Sequence, residues 1–333
     1  MSGSILAPQA ERPRSLSIEQ RIVSGSGRPL LVGCREHGSV RLVAVYNPIA
    51  GSGQAQREAL AIRTHFEARG DTIDLVDVGP QGQRERVAEI VAGADAMIIV
   101  GGDGTVQAHA TVASETGVPL YQYPLGTENL FAREWGMRKR LQTLEAALEQ
   151  MQVVQADLAS CNEHPFMLMC SVGPDANVVH RLSAHRNGPI SHASYVRHVI
   201  AEFLSPSIAP LRVTLDGKQV IDGERGILVV ANCKHYAMRI NPARDASMTD
   251  GELDVAFFPI TRRVGLLKWL WLSRLGRRAR NAIYLRGREV TIENEGKPVA
   301  FQIDGEAGDA EQSHRLHIRI DKAAVPVLTA RVA

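Results

Sequence analysis

Three short glycine-rich segments carry the first indication of chemistry: Asn47-Pro48-Ile49-Ala50-Gly51-Ser52-Gly53, Gly101-Gly102-Asp103-Gly104-Thr105 and Pro124-Leu125-Gly126-Thr127-Glu128-Asn129. Each follows a run that reads as a β-strand and precedes one that reads as a helix. Glycine lets main-chain N–H groups come close to phosphate oxygens, and the start of the following helix adds a partial positive charge. One such segment alone is as often a tight turn. Three in the same strand-to-helix setting point to a polyphosphate ligand.

The elements that must position these segments are legible as an alternation. Strand-like Leu42–Val45, Thr72–Val76, Ala96–Val100 and Leu120–Tyr123 are separated by helical stretches near 55–69, 84–92, after Gly104, and at 138–151. Strands separated by helices predict a parallel sheet covered on both faces, with loops at the strand ends side by side. After about residue 155 the texture turns to strands, at 166–171, 211–215, 225–231, 253–257, 289–293, 299–303 and 316–320, with Asp216-Gly217, Asp222-Gly223 and Asp250-Gly251 as turn signals. Helical material interrupts them near 190–204 and 262–280.

The expected architecture is α/β plus β. A Rossmann-like parallel α/β nucleotide domain over 41–152 precedes a β-rich sandwich domain over 153–320. The tail from about 321 to 333 returns to the first domain, and residues 1–40 form a flexible extension. A length of 333 residues suffices for two cores with a cleft between them.

A formal charge of +2 gives no reason to expect nucleic acid. Cys34, Cys161, Cys170 and Cys233 lack CxxC spacing, so neither a zinc site nor a disulfide framework is predicted. No segment has the roughly 18 apolar residues of a membrane span, and the N-terminus lacks a secretion signal. These features predict a cytoplasmic protein that would meet any lipid from the membrane surface.

The ordered motifs resemble the diacylglycerol kinase catalytic superfamily, which includes sphingosine kinases and bacterial YegS-like lipid kinases. The likeness continues through Ser171-Val172-Gly173-Pro174-Asp175-Ala176, Asn241-Pro242-Ala243, Asp250-Gly251-Glu252-Leu253-Asp254 and Gln302-Ile303-Asp304-Gly305-Glu306. It spans nearly everything from about residue 41 to the end. The resemblance implies ATP held by Asn47, Pro48, Gly51, Ser52 and Gly53, by Gly101, Gly102, Asp103, Gly104, Thr105 and Gln107, and by Gly126, Thr127 and Asn129. It places magnesium at Asp250, with main-chain oxygens of Ser247 and Glu252. Asp103 would orient metal-bound phosphates or activate the acceptor.

A hydroxyl acceptor must lose its proton as the γ-phosphoryl group arrives, so a carboxylate base is needed. In the family that role falls to the Glu of the last motif, here Glu306, with Asp304 as a supporting acid. The implied function is an ATP-dependent lipid kinase acting in the crevice between the domains. Its partners would be a lipid, an anionic membrane surface at the inner face and, in a homodimer, a second copy.

Two other functions share part of the signature: an NAD kinase, and a non-catalytic nucleotide- or lipid-binding member. The second draws on a departure, because many relatives carry Asp where this chain has Leu130; Glu128 could compensate. Other departures are Gln107-Ala108 for Asn-Glu and Asp77-Val78-Gly79 at the end of the second strand. Between Arg262 and Arg280, Trp269, Trp271 and five leucines mix with seven basic residues. This pattern fits either an interfacial helix or an amphipathic helix packed on the β domain. His180, His185, His192 and His198 match no zinc spacing, and Asn162-Glu163 reads as a turn.

Overall fold

The computed structural model describes residues 39–48, 50–79, 83–184, 208–260, 263–294, 298, 300–309 and 314–331. The expected N-terminal extension, the helical material near 190–204, and His185, His192 and His198 lie outside them, except for residues 39 and 40 at the end of that extension.

β1 (Arg41–Tyr46), β2 (Thr72–Asp77), β3 (Ala96–Gly101) and β4 (Leu120–Pro124) run parallel in the order β4-β3-β1-β2. Parallel neighbours require crossovers, supplied here by α1 (Ala50–Glu67), α2 (Arg84–Val91) and α3 (Asp103–Thr116). All six residues of β3 are buried, which is why its sequence Ala-Met-Ile-Ile-Val-Gly has no alternation. α4 (Leu130–Glu134) and α5 (Leu141–Gln150) follow β4. Helix α1 starts at Ala50, earlier than its sequence suggests, so it takes in Gly51, Ser52 and Gly53.

The second half contains β5 (Val153–Cys161), β6 (His164–Phe166), β7 (Met169–Val172), β8 (Pro210–Leu215), β9 (Lys218–Ala231), β10 (Leu253–Pro259), β11 (Ile283–Gly287), β12 (Glu289–Glu293), β13 (Phe301–Ile303), β14 (Glu306–Ala307) and β15 (Arg315–Leu328). Its strands pair antiparallel with one another, and α6 (Pro174–Ala184) and α7 (Arg263–Arg274) pack among them. β9 joins two layers: Lys218–Arg225 pair with β8, and Gly226–Ala231 pair with β10. Asp222-Gly223 is therefore a bulge inside β9, where the register to β8 slips between Leu211 and Arg212, rather than the turn its sequence suggests.

Leu228 and Val230 of β9 join Leu253, Val255, Phe257, Val290, Ile292, Leu316 and Ile318 in the interior of the sandwich. The alternate residues Ile227, Val229 and Ala231 join the core that continues into the first half. With both faces covered, the end of β9 is uniformly apolar.

β15 serves both halves. Ile318–Asp321 pair with Leu158–Cys161 of β5; after an irregularity, Val325–Leu328 pair with Val153–Ala156, and Val327 lies parallel beside Leu120 of β4.

Candidate active site

The glycine-rich segments after β1, β3 and β4 leave adjoining strand ends, since Tyr46 is level with Val100 and Gly101 with Pro124. The second and third touch through bare backbone. A Cβ on Gly126 would lie 2.8 Å from the Gly102 Cα and 2.9 Å from Asn129 Oδ1, so side chains at these glycines would wedge the loops apart. Asn129, itself left-handed at φ 49°, fixes the loop by accepting from the Gly126 amide at 2.8 Å and donating to the Gly126 carbonyl at 2.8 Å. Thr127 is exposed at the loop tip, and Asn47 and Pro48 lie at the end of β1.

Asp103 opens α3, yet its carboxylate turns to the start of α4. It accepts from the amides of Leu130 at 2.9 Å and Phe131 at 3.1 Å. Burial raises its pKa, and those two amides oppose the rise. Beside it, fully buried Gln122 donates to the Gly101 carbonyl at 3.2 Å and accepts from the Ala132 amide at 2.8 Å. Asp103 and Gln122 thus set the position of one glycine loop against the other. Gln107 donates to the Pro165 carbonyl at 3.1 Å, tying α3 to β6. Glu128 accepts from the Met238 amide at 3.2 Å and approaches Arg133 at 4.0 Å.

The turn between β13 and β14 brings the last motif to this place. A Cβ on Gly104 would lie 3.7 Å from Glu306 Oε1, so the carboxylate sits over the first turn of α3. Asp304 is buried and left-handed at φ 50°. Its oxygens accept from the amides of Met167 at 2.8 Å, Leu168 at 2.9 Å and Met169 at 2.9 Å. Burial pushes its pKa up to about 7, with a further push from Asp103, while the three amides pull it down.

A second chain of bonds braces the same turn. Gln302 accepts from the Gly305 amide at 2.7 Å and donates to Ser171 Oγ at 2.7 Å. Ser171 and Tyr236 both donate to Asp175, whose pKa burial raises. Ser171 and Asp175, from one motif, are in this way coupled to Gln302 and Gly305 of another. His180 adds a contact to the Phe301 carbonyl at 2.8 Å.

Asp250, expected at magnesium together with main-chain oxygens of Ser247 and Glu252, turns its carboxylate to a guanidinium. Arg286 pairs with Asp250, with Glu252 at 3.3 Å and with Asp254 at 3.4 Å. Ser247 Oγ faces Thr249 Oγ1 at 3.2 Å. Among the described residues no group of three His, Cys, Asp or Glu is arranged to hold a metal ion. Of the expected donors, the one carboxylate, Asp250, is already paired with a fixed cation. Burial raises Asp254 to about 6 against the pull of Arg286, and Asp250 pushes in the same direction as burial.

Four of these positioning residues are hard to find in the sequence: Gln122, Asp157, Tyr236 and Arg286. Asp157 accepts from the amides of Gly251 and Ala323, each at 2.7 Å. A polar residue inside an apolar strand, as at Gln122 and Asp157, was the available signal. Arg286 gives none, because its three partners precede it by more than thirty positions.

Residues 41–161 match the profile of the diacylglycerol kinase catalytic domain, and residues 169–328 that of the YegS C-terminal NAD kinase beta sandwich-like domain. A fold with a parallel glycine-loop half and a β-rich half, matched over both, places this chain in the diacylglycerol kinase catalytic domain superfamily. An uncharacterised protein of Synechocystis sp. is 24% identical over 79% of this chain and 64% of its own length, so the chain spans less than two thirds of that relative. A diacylglycerol kinase of Mycobacterium tuberculosis is 27% identical over 70% of this chain and 78% of its own length. A crystal structure of a diacylglycerol kinase from Bacillus anthracis str. Sterne superposes with a TM-score of 0.65 at 16% identity, covering 88% of this chain and 98% of that one. At that identity the superposition speaks for the fold.

Proposed function

We propose that this chain is an ATP-dependent lipid kinase that transfers the γ-phosphoryl group to the hydroxyl of a diacylglycerol-like or sphingoid-like lipid. The observation that carries the reading is the Glu306 carboxylate over Gly104, where the last motif meets the glycine loop that opens α3. The segments Gly101–Thr105 and Gly126–Asn129, with the segment from Asn47 to Gly53, hold the triphosphate. Magnesium bound with the nucleotide would neutralise charge that develops on its phosphates.

The acceptor oxygen forms a bond to the γ-phosphorus as the bond from that phosphorus to the β–γ bridging oxygen breaks. The hydroxyl proton passes to Glu306, and ADP departs with the electron pair. Asp103 and Asp304 shape the two turns rather than take the proton, since each already holds main-chain amides. A cavity of about 250 Å³ with a mixed lining, Val172, Ala209, Leu211 and Ala300 beside Asn177, Gly173 and Gly226, is the candidate place for the acceptor. Val172 pairs with Phe301, on the strand that leads to the Glu306 turn.

The test is transfer from labelled ATP to diacylglycerol, sphingosine, phosphatidylglycerol and NAD in parallel. Labelled lipid is expected, and label on NAD alone would replace the lipid reading with the NAD kinase one. Glu306→Gln is expected to lower turnover by roughly 10²–10⁴-fold while ATP binding persists. Unchanged turnover would remove Glu306 as the base.

A further inference from the structure

Six large apolar side chains are exposed among the described residues, and four of them lie on α7 or just beyond its end: Val264 at 72%, Leu267 at 52%, Trp271 at 60% and Leu275 at 49%. Their spacing of three, four and four residues puts them in one narrow stripe of a helix. The opposite face is anchored. Leu266, Trp269 and Ser273 are buried, and the Trp269 ring meets Phe258 at 6.1 Å. The helix is therefore packed on the β-rich half, with a second apolar face left over.

The surroundings of that second face are basic. Lys268 and Arg274 flank the stripe, and Arg277, Arg278 and Arg280 follow, all exposed. Between Asp254 and Glu289 the chain has no acidic residue. Arg278 pairs with Asp245 and lies 5.1 Å from the centre of the Tyr284 ring, while Lys268, Arg277 and Arg280 make no ion pair among the described residues.

We propose that this face of α7 docks onto an anionic lipid bilayer, with Leu267 and Trp271 entering the headgroup region and Lys268, Arg274 and Arg277 meeting lipid phosphates. Charge selects this occupant. Two copies of the face would bring like charges together around a thin apolar stripe, whereas a bilayer offers negative headgroups above an apolar interior. A tryptophan with one side fixed and a neighbour free is suited to that boundary. The proposal stands on the surface alone, and its test needs no turnover, so it can fail while the kinase reading survives.

The experiment is flotation of the full chain with phosphatidylcholine vesicles, with and without phosphatidylglycerol, read together with tryptophan emission. Trp135 and Trp269 are buried, so the difference between wild type and Trp271→Phe isolates Trp271. Binding to phosphatidylglycerol vesicles with a blue shift of that difference spectrum is expected. Lys268→Ala with Arg277→Ala should weaken binding about 25-fold, at about fivefold per cation. Leu267→Ala with Trp271→Ala should weaken it about tenfold or more. Equal partition onto both vesicle types, an unshifted Trp271, or full binding by either double variant overturns the proposal. So does a wild-type dimer that Leu267→Ala with Trp271→Ala dissociates while vesicles bind neither protein.

Discussion

A carboxylate that is buried to hold three amides must respond to pH, and Asp304 is such a group. Its pKa is raised from near 3.8 to about 7 by burial. The folded chain then binds more protons than the unfolded one between those values, so folding stability falls as pH rises through that window, by up to about 1.4 kcal/mol per pH unit. Asp304→Asn should flatten this slope. It should also impose a constant loss of about 1–3 kcal/mol, because its NH₂ group would face an amide donor that the carboxylate now satisfies. Melting both proteins at several pH values between about 4 and 7 tests this, and equal slopes would assign the proton elsewhere. At this scale Glu306 could be named from the sequence because a motif order pointed to it. The work of Asp304 could not, since its partners Met167 and Leu168 lie 137 and 136 residues away along the chain.

Across an antiparallel strand pair, side chains of opposite charge face each other, and Arg286 in β11 lies directly opposite Asp254 in β10. Asp250 and Glu252, just before β10, extend the cluster, and Asp157 joins it by holding the Gly251 amide. A guanidinium in this position does the work of a bound cation, so the melting temperature should be the same in magnesium and in a chelator. Arg286→Ala leaves the carboxylates facing one another. The pairs are partly exposed, so the cost should be about 1 kcal/mol or less, and magnesium should restore much of it. A melting temperature of the wild-type chain that drops on chelation would overturn this account.

The parallel half was legible at the scale of elements because its buried strands and covering helices carry different periodicities. β5 was not, since polar Gln155, Asp157 and Ser160 interrupt it, and neither was the start of β9, where Lys218–Glu224 are mostly exposed. The basic Trp/Leu segment was legible as an amphipathic helix. Its two apolar faces, one packed and one bare, separated only in three dimensions.

At the scale of the molecule, the two halves are joined by groups that each half supplies in part. Glu134 of α4 receives Lys234 at 3.4 Å, His235 at 3.2 Å and Arg331 at 2.9 Å. Burial lowers the pKa of His235 although Glu134 opposes it. β15 makes the largest of these connections. Asp157 takes the Ala323 amide at the irregularity where the strand passes from one half to the other, and Ala323 adopts φ 54° to allow it. Beyond that point Val325, Val327 and Leu328 are fully buried, filling the groove between β4 and β5. Burying each such side chain contributes about 1.5–3 kcal/mol. Together they approach the whole stability of an ordinary domain, about 5–15 kcal/mol. Ending the chain at Asp321 should therefore leave the glycine loops without a stable sheet behind them, although every residue of those loops remains. Loss of the cooperative melting transition, together with loss of ATP binding, is the expected result. A truncated chain that melts as the intact one does would show that the returning strand is dispensable to the nucleotide half.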